Sequence, residues 1–331
     1  MSPSVSVIAT VLNERESIVR LLESLEAQSR QPDQVVIVDG GSTDGPLDVL
    51  SEYAQRGRLP LLVLSRPGSN ISQGRNAAID AAQGEVIAVT DAGVRLDPDW
   101  LQELTAPFAD AYIHVVSGTF VPDPQTPFEV AMGATVLPAL CEIRPDRFLP
   151  SSRSIAFRKE AWRTAGGYPE WLDYCEDLIL DMRLRDRYGR FALAREAKVY
   201  FRPRPTMRTF FRQYYCYARG DGKADLWRKR HAIRYITYLG MLPILTALTA
   251  WHSLWWLLAL AGGGAIYTAT PYRRLSRMMG SLSWHTKLYA VALVPCIRAV
   301  GDVAKMIGYP VGWIWRLRHR GEIPPAHQEI A

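Results

Sequence analysis

Three carboxylate-bearing segments, Asn13-Glu14, Asp39 and Asp91, each follow a run of β-branched and aliphatic residues. Carboxylates gathered at strand ends suit hydrogen bonding to a nucleobase and ribose, or holding a divalent cation that neutralises a diphosphate. Taken singly, each is equally a turn-forming or helix-capping residue. Three of them after three successive strands favour a shared ligand. The pair Glu176-Asp177 opens a helical run through Leu178, Leu180, Met182 and Leu184. It reads either as acids that compensate a helix dipole or as a carboxylate facing a pocket, where it could take a proton. Ser152 and Arg153, in the small polar stretch 151–157, stand just before a strand and could meet an acceptor or a diphosphate. No GxGxxG and no GxxxxGK[ST] occurs at these loops, which argues against a dinucleotide enzyme and a P-loop ATPase.

The elements that must position these groups alternate. Strand-length apolar runs lie at 5–12, 34–39, 61–64 and 85–90, with helical spacing at 14–28, 49–56 and 72–82 and another helix beginning near Pro98. Such alternation predicts an α/β fold, with right-handed crossovers, a mostly parallel sheet and helices on both faces. Ligands then bind at the carboxyl ends of the strands, where the three acidic loops stand.

The chain has 331 residues, 48% hydrophobic and 22% charged, with a formal net charge of +6. Those values exclude a disordered chain and leave room for a substantial core. The charge is uneven: from Leu226 onward there are about 13 Lys/Arg against 3 Asp/Glu, while residues 1–225 are mildly acidic. The basic groups flank apolar runs rather than forming a polar face, so nucleic acid is not the expected partner. Cys141, Cys175, Cys216 and Cys296 are far apart and show no zinc spacing, which suits free thiols in a reducing compartment. The first residues lack a basic segment followed by a long apolar one, so no signal peptide is expected and the body is expected in the cytoplasm.

Six ordered elements, TVLNE (10–14), IVDGGSTDG (37–45), GRNAAI (74–79), VTDAG (89–93), GGYPE (166–170) and CEDLILDMRL (175–184), resemble family 2 glycosyltransferases of the GT-A fold. The resemblance covers roughly residues 3–225. It implies a Rossmann-like GT-A domain that uses a nucleotide-sugar donor. Thr10, Leu12, Asn13 and Glu14 would wall the nucleotide pocket, with Asp39 accepting from the base, Gly41 in its turn, and Arg75 near the base or diphosphate. Asp91 matches the first acid of the family's DxD element, which holds ribose and metal (Mn2+ or Mg2+). The second acid is replaced by Gly93, and the family's usual VDDGS reads VDGGS at 38–42. Asp97 or Asp99 could supply an acid, although Asp99 is better placed to cap a helix. The resemblance makes Asp177, with Glu176 beside it, the candidate base for an inverting transfer. Asp181 and Arg183 are expected to be structural. The aromatic stretch at 206–222 stands where processive members carry QxxRW; that RW pair is absent, and Arg219 remains a candidate contact to the diphosphate.

No Asp, Glu, Lys or Arg occurs between Tyr235 and Tyr272. As one helix this stretch would be about 57 Å long, against the ~30 Å of a bilayer core. Pro243, His252-Ser253 and the glycines at 262–264 instead suggest two arms, about 235–250 and 254–270. Basic clusters on both sides favour a hairpin with both ends on the cytoplasmic face. A further apolar helical region, about 288–315, carries Arg298, Asp302 and Lys305 on one face, where they can pair with one another.

The expected division is therefore a GT-A catalytic domain at 1–225 and a helical membrane-associated tail at 226–331. The expected activity is non-processive, inverting transfer of a sugar from a nucleotide-diphosphate donor to a lipid-linked or other membrane-proximal saccharide acceptor. Membrane lipid is an expected partner. Two alternatives remain at this level, a membrane-anchored nucleotide-sugar-binding scaffold and a sugar-phosphate nucleotidyltransferase.

Overall fold

The computed structural model describes residues 3–280 and 282–323. The chain divides into two compact units, one running to Asp123 and resuming at Leu140–Phe201, the other comprising Pro124–Ala139 and everything from Arg202 onward. The helix at 207–224 is grouped with the helical unit.

The first unit begins with β1 (Val5–Val11), α1 (Arg15–Glu26), β2 (Gln34–Asp39), α2 (Pro46–Arg56), β3 (Leu61–Ser65), α3 (Ile71–Ala81) and β4 (Val86–Val89). It continues with β5 (Val94–Leu96), α4 (Trp100–Thr105) and β6 (Val115–Pro122). After the excursion that carries α5 (Pro127–Val136) come β7 (Ile155–Arg158), α6 (Lys159–Thr164), α7 (Glu176–Tyr188) and β8 (Ala192–Phe201). The sheet order is β3-β2-β1-β4-β7-β6-β8-β5. Strands β3, β2, β1 and β4 are mutually parallel, as the alternation predicts. Strand β7 then runs antiparallel to both β4 and β6, and β5 antiparallel to β8, so the sheet is mixed. No crossover helix precedes β7 within this unit, so the repeating pattern that forces parallel pairing is missing there.

Side-chain alternation explains the layers. Val5, Val7, Ala9, Val35, Ile37 and Ala88 point to one face and pack with Ile18, Leu21, Leu22 and Leu25 of α1, Leu50 of α2 and Trp100 of α4. Ile8, Val36, Val38, Ile87 and Val89 point to the other, with Ala78 and Ile79 of α3 and Leu180 and Leu184 of α7. Both faces are covered, which is why these strands read as continuous apolar runs. Gly74 lets α3 approach closely: a β-carbon there would stand 2.9 Å from Cγ2 of Thr10 on β1.

The second unit contains α5, α8 (Met207–Ala224), α9 (Arg228–Tyr235), a π-helical turn (Ile236–Met241), α10 (Leu242–Trp251), α11 (Trp256–Met278) and α12 (Trp284–Arg318). The first expected arm is the continuous helix Arg228–Trp251, which ends at the His252-Ser253 break. The second, α11, runs straight through the three glycines and on past Arg273 and Arg274. Residues 288–315 lie inside the single long helix α12. Phe210 of α8, Val130 and Met132 of α5, Leu275 of α11 and Val294 and Ile297 of α12 form this unit's core. Glycines bring α8 and α12 into backbone contact: a β-carbon on Gly308 would lie 2.2 Å from the carbonyl of Tyr215, and one on Gly222 2.2 Å from that of Tyr309.

Candidate active site

The parallel register sets Val11 opposite Asp39 and Ile8 opposite Val89, so the loops after β1, β2 and β4 share one edge of the sheet. Asn13 has a left-handed backbone (φ 55°), which Asn tolerates better than most residues. Its side-chain carbonyl accepts from the Thr43 N–H (2.9 Å) and hydroxyl, and its N–H donates to the Ser42 hydroxyl (2.9 Å). The Arg15 N–H donates to Asp44 (3.0 Å), so the first loop is tied to the second at three points. Asp39 is buried, and its carboxylate accepts the N–H groups of Gly41 (3.0 Å) and Ser42 (3.2 Å). It folds the turn it ends, and Gly41 supplies the positive φ (98°) that turn requires. Thr10 packs against α3, and Leu12 projects with 54% of its surface exposed.

The centre of the site is Arg75 on α3. Its guanidinium donates to Glu176 at 2.5 Å and to Asp91 at 2.8 Å, and the ring of Tyr168 lies 5.3 Å from it. Arg153 reaches the other oxygen of Asp91 at 3.4 Å. Arg75 is 3% exposed; burial opposes its charge, but Glu176 and Asp91 outweigh that and hold its pKa above the usual value.

Glu176 and Asp177 are delivered by a stapled segment. Asn76, the neighbour of Arg75 on α3, donates to the Tyr168 carbonyl (2.9 Å) and to Glu170 (3.0 Å), and accepts from the Tyr168 N–H (2.9 Å). Asn70 donates to the carbonyl of Glu170 and Ser72 to that of Leu172. Cys175 then turns the chain into α7 through a left-handed conformation (φ 66°), which costs a non-glycine residue about 1–2 kcal/mol. Burial, reinforced by Asp177, pushes the Glu176 carboxyl up to about 7, although Arg75 pulls it back. Burial also raises Asp177, with Arg75 and the Leu178 N–H (2.9 Å) opposing the shift. One turn on, Asp181 is 2% exposed, with Oδ2 lacking a hydrogen-bond partner. Burial, then Asp177, holds its carboxyl well above the ordinary range.

The structure thus brings Arg75, Asp91, Arg153, Glu176 and Asp177 together. Ser152 is buried, and its hydroxyl lies 3.0 Å from that of Tyr168, so it supports the site rather than opening onto an acceptor. Arg219 stands on α8 in the helical unit. Asp97 spends its carboxylate on the Tyr200 hydroxyl, and Asp99 precedes α4 without a side-chain cap. The positioning roles of Asn76 and Tyr168 escaped sequence reasoning, although both stand inside motifs, GRNAAI and GGYPE, that were visible.

Among the described residues no three His, Cys, Asp or Glu side chains gather as a metal cage. Asp91 already faces an arginine with each oxygen, yet a carboxylate offers about four acceptor positions. The Glu14 carboxylate closely approaches Gly93, two residues on: a β-carbon there would stand only 3.1 Å from Oε2 of Glu14. This donor set fits a cation that takes most of its ligands from a bound diphosphate, with Asp91, and Glu14 beside Gly93, contributing protein oxygens.

Residues 6–163 match the family model described as Glycosyl transferase family 2. The chain is similar to the succinoglycan biosynthesis protein ExoA of Rhizobium meliloti, 26% identical over 315 residues, covering 86% of this chain and 93% of that protein. It is 32% identical over 103 residues to EpsH of Bacillus subtilis, 31% of this chain and 30% of that one, so the match spans less than a third of that relative. It is also 35% identical over 107 residues (30% of this chain, 31% of the relative) to an undecaprenyl-phosphate 4-deoxy-4-formamido-L-arabinose transferase of Pseudomonas syringae. In fold it is similar to a mannosyltransferase of Pyrobaculum calidifontis, solved with GDP-Man and Mn2+, at a TM-score of 0.63 and 20% identity over 92% of this chain and 88% of that one.

Proposed function

Because this chain belongs to the family 2 glycosyltransferases, with the family domain at residues 6–163, we propose that it moves a sugar from a nucleotide-diphosphate donor to a lipid-linked or other membrane-proximal acceptor, with inversion and one sugar per encounter. The observation that carries this reading is Arg75, which joins the strand-end acid Asp91 to the α7 acids by two direct ion pairs. A cationic hinge at that place holds Asp177 at a fixed distance from any diphosphate bound at the sheet edge.

In this reading the β1, β2 and β4 loops bind the nucleotide, with Thr10, Leu12 and Asp39 around the base. Arg153 and Arg75 face the phosphates, where fixed cations stabilise charge developing on the leaving group. A divalent cation, when bound, neutralises further diphosphate charge. The acceptor oxygen attacks the anomeric carbon from the side opposite the diphosphate, the bond between that carbon and the phosphate oxygen breaks, and Asp177 takes the acceptor proton. Its raised pKa makes it a better base than an exposed carboxylate.

A membrane position is supported by the helix Arg228–Trp251, which is long and apolar enough to cross a bilayer and has no buried residue in its apolar window. Arg228, Lys229, Arg230 and Arg234 before this region and Arg273, Arg274 and Arg277 after it favour cytoplasmic placement of both ends. Thermal shift of the full chain against a panel of nucleotide sugars, with and without Mn2+ or Mg2+, tests the donor site. Transfer of labelled sugar into a lipid extract then tests the acceptor class. Stabilisation by no nucleotide at all would overturn the reading.

A further inference from the structure

The helical unit contains a second charged cluster, remote in sequence from the acids of the sheet edge. Asp302 on α12 is its hub. One of its oxygens accepts from Arg234 of α9 at 2.7 Å, and the other accepts from Tyr267 of α11 at 2.6 Å and from Tyr238 at 3.3 Å. Those bonds use most of what one carboxylate can accept. Two cations remain poorly served. The Lys305 ammonium is 3.9 Å from Asp302, too far for a hydrogen bond. The guanidinium of Arg298 stands 4.7 Å from the Tyr267 ring centre, and its Nε is buried without a hydrogen-bond partner.

The expected pairing of Arg298, Asp302 and Lys305 among themselves is therefore incomplete, because Arg234 and the tyrosines take the carboxylate. Asp221 of α8, the other acid near this network, lies 3.3 Å from His231, which in turn contacts Arg234 at 3.1 Å. One to two positive charges are left over in a partly buried setting. A partly buried cation whose only partners are a distant carboxylate or an aromatic ring is incompletely compensated, and an oxyanion is the group that completes it. The helices that carry Arg234, Tyr238 and Tyr267 expose Ile233, Ile236, Leu239, Leu258 and Ile266, so an anion held here would sit beside apolar surface.

We propose that Arg298 and Lys305, with Arg234 and the two tyrosine hydroxyls, form a binding site for the phosphate headgroup of a membrane lipid. The headgroup oxygens complete the hydrogen bonding of Arg298 and Lys305, and the acyl or isoprenoid chain follows the exposed apolar residues. The site rests on the membrane-facing reading of this unit and is independent of the transfer chemistry.

The test uses the full chain in vesicles of phosphatidylcholine, alone or with phosphatidic acid, and in detergent with phosphatidic acid followed by native mass spectrometry. Resistance of the protein in neutral vesicles to alkali washing reports membrane insertion separately. The expected result is retention of phosphatidic acid about tenfold above phosphatidylcholine, lost in the Arg298→Gln/Lys305→Gln pair and kept in Lys305→Arg. The exposed pair Arg273→Gln/Arg277→Gln serves as the control and should keep the preference. Equal retention of both lipids by the wild-type chain overturns the site. So does a preference that survives Arg298→Gln/Lys305→Gln and disappears in the control pair, because surface charge would then explain it. Displacement of the lipid by inorganic phosphate at equal concentration would assign the site to a free anion and overturn the lipid source.

Discussion

Arg75 and Glu176 are 101 residues apart in sequence and 2.5 Å apart in space. Their bond joins α3, which packs on β1 and β2, to the first turn of α7. Arg75 spends its second arm on Asp91, so the strand-end acid and the α7 acids cannot move independently.

Replacement of Arg75 tests that hinge. Arg75→Ala leaves two carboxylates without their shared cation, and loss of a buried charge partner is expected to cost about 3–5 kcal/mol of stability. Arg75→Lys keeps the charge but cannot span both partners, so it should recover part of the stability and little of the donor affinity. Urea unfolding and nucleotide titration measure the two separately. A substitution that leaves both unchanged would remove Arg75 from its central place.

Asp177→Asn preserves shape and hydrogen bonding while removing the proposed base. Donor binding should persist by calorimetry, and turnover should fall by roughly 10²–10⁴-fold. Wild-type turnover should decline as pH falls, along a limb displaced upward from the ordinary carboxylate range, because burial raises the Asp177 pKa. An acid limb that survives in Asp177→Asn would belong to another group.

Glu176 offers a thermodynamic check. With its carboxyl near 7 in the folded chain against about 4.5 when unfolded, the native state holds a proton that the unfolded state has lost. Its contribution to stability therefore declines as pH rises through that window, by on the order of 1–3 kcal/mol. Glu176→Gln should flatten this part of the stability–pH curve measured by chemical denaturation. An unchanged slope would place the titration elsewhere.

The Glu14–Gly93 approach bears on the proposed cation. Glu14→Gln should weaken Mn2+ binding to the nucleotide complex by roughly tenfold, read from free Mn2+ by paramagnetic resonance rather than from activity. Glu14→Asp, which keeps a carboxylate on the same loop, should retain most of it. If neither change alters Mn2+ binding, the protein oxygens come only from Asp91 or from none of these residues.

Much of the architecture was legible because local pattern and tertiary burial agreed. Strands β1, β2 and β4 are apolar on both faces, and both faces are covered, so their alternation with helices announced the parallel half of the sheet. The antiparallel β7 carried no such mark, since residues 155–158 are equally apolar whichever way they run. Asp91 and Arg75 stood in visible motifs. Their pairing did not, because Glu176 reaches Arg75 only after the Asn76 side chain has clamped the Tyr168 segment onto α3, and no local propensity encodes a contact of that span. Gly262–Gly264 misled in the opposite sense: as a possible break they look decisive, yet within an apolar stretch of helix formers they continue α11 at a modest cost per residue.

The close seam between α8 and α12 sets how freely this half of the chain can vary. At Gly222, Gly308 and Gly312 the space a methyl group needs is filled by the opposite backbone, so even alanine would force the helices apart. On the outward side of the Arg228–Trp251 helix, exchange among Leu, Ile, Val and Phe meets no neighbour and should pass unnoticed. A library of random substitutions across residues 202–323 would therefore show a few glycines tolerating nothing, set among long apolar stretches that tolerate nearly any oily residue.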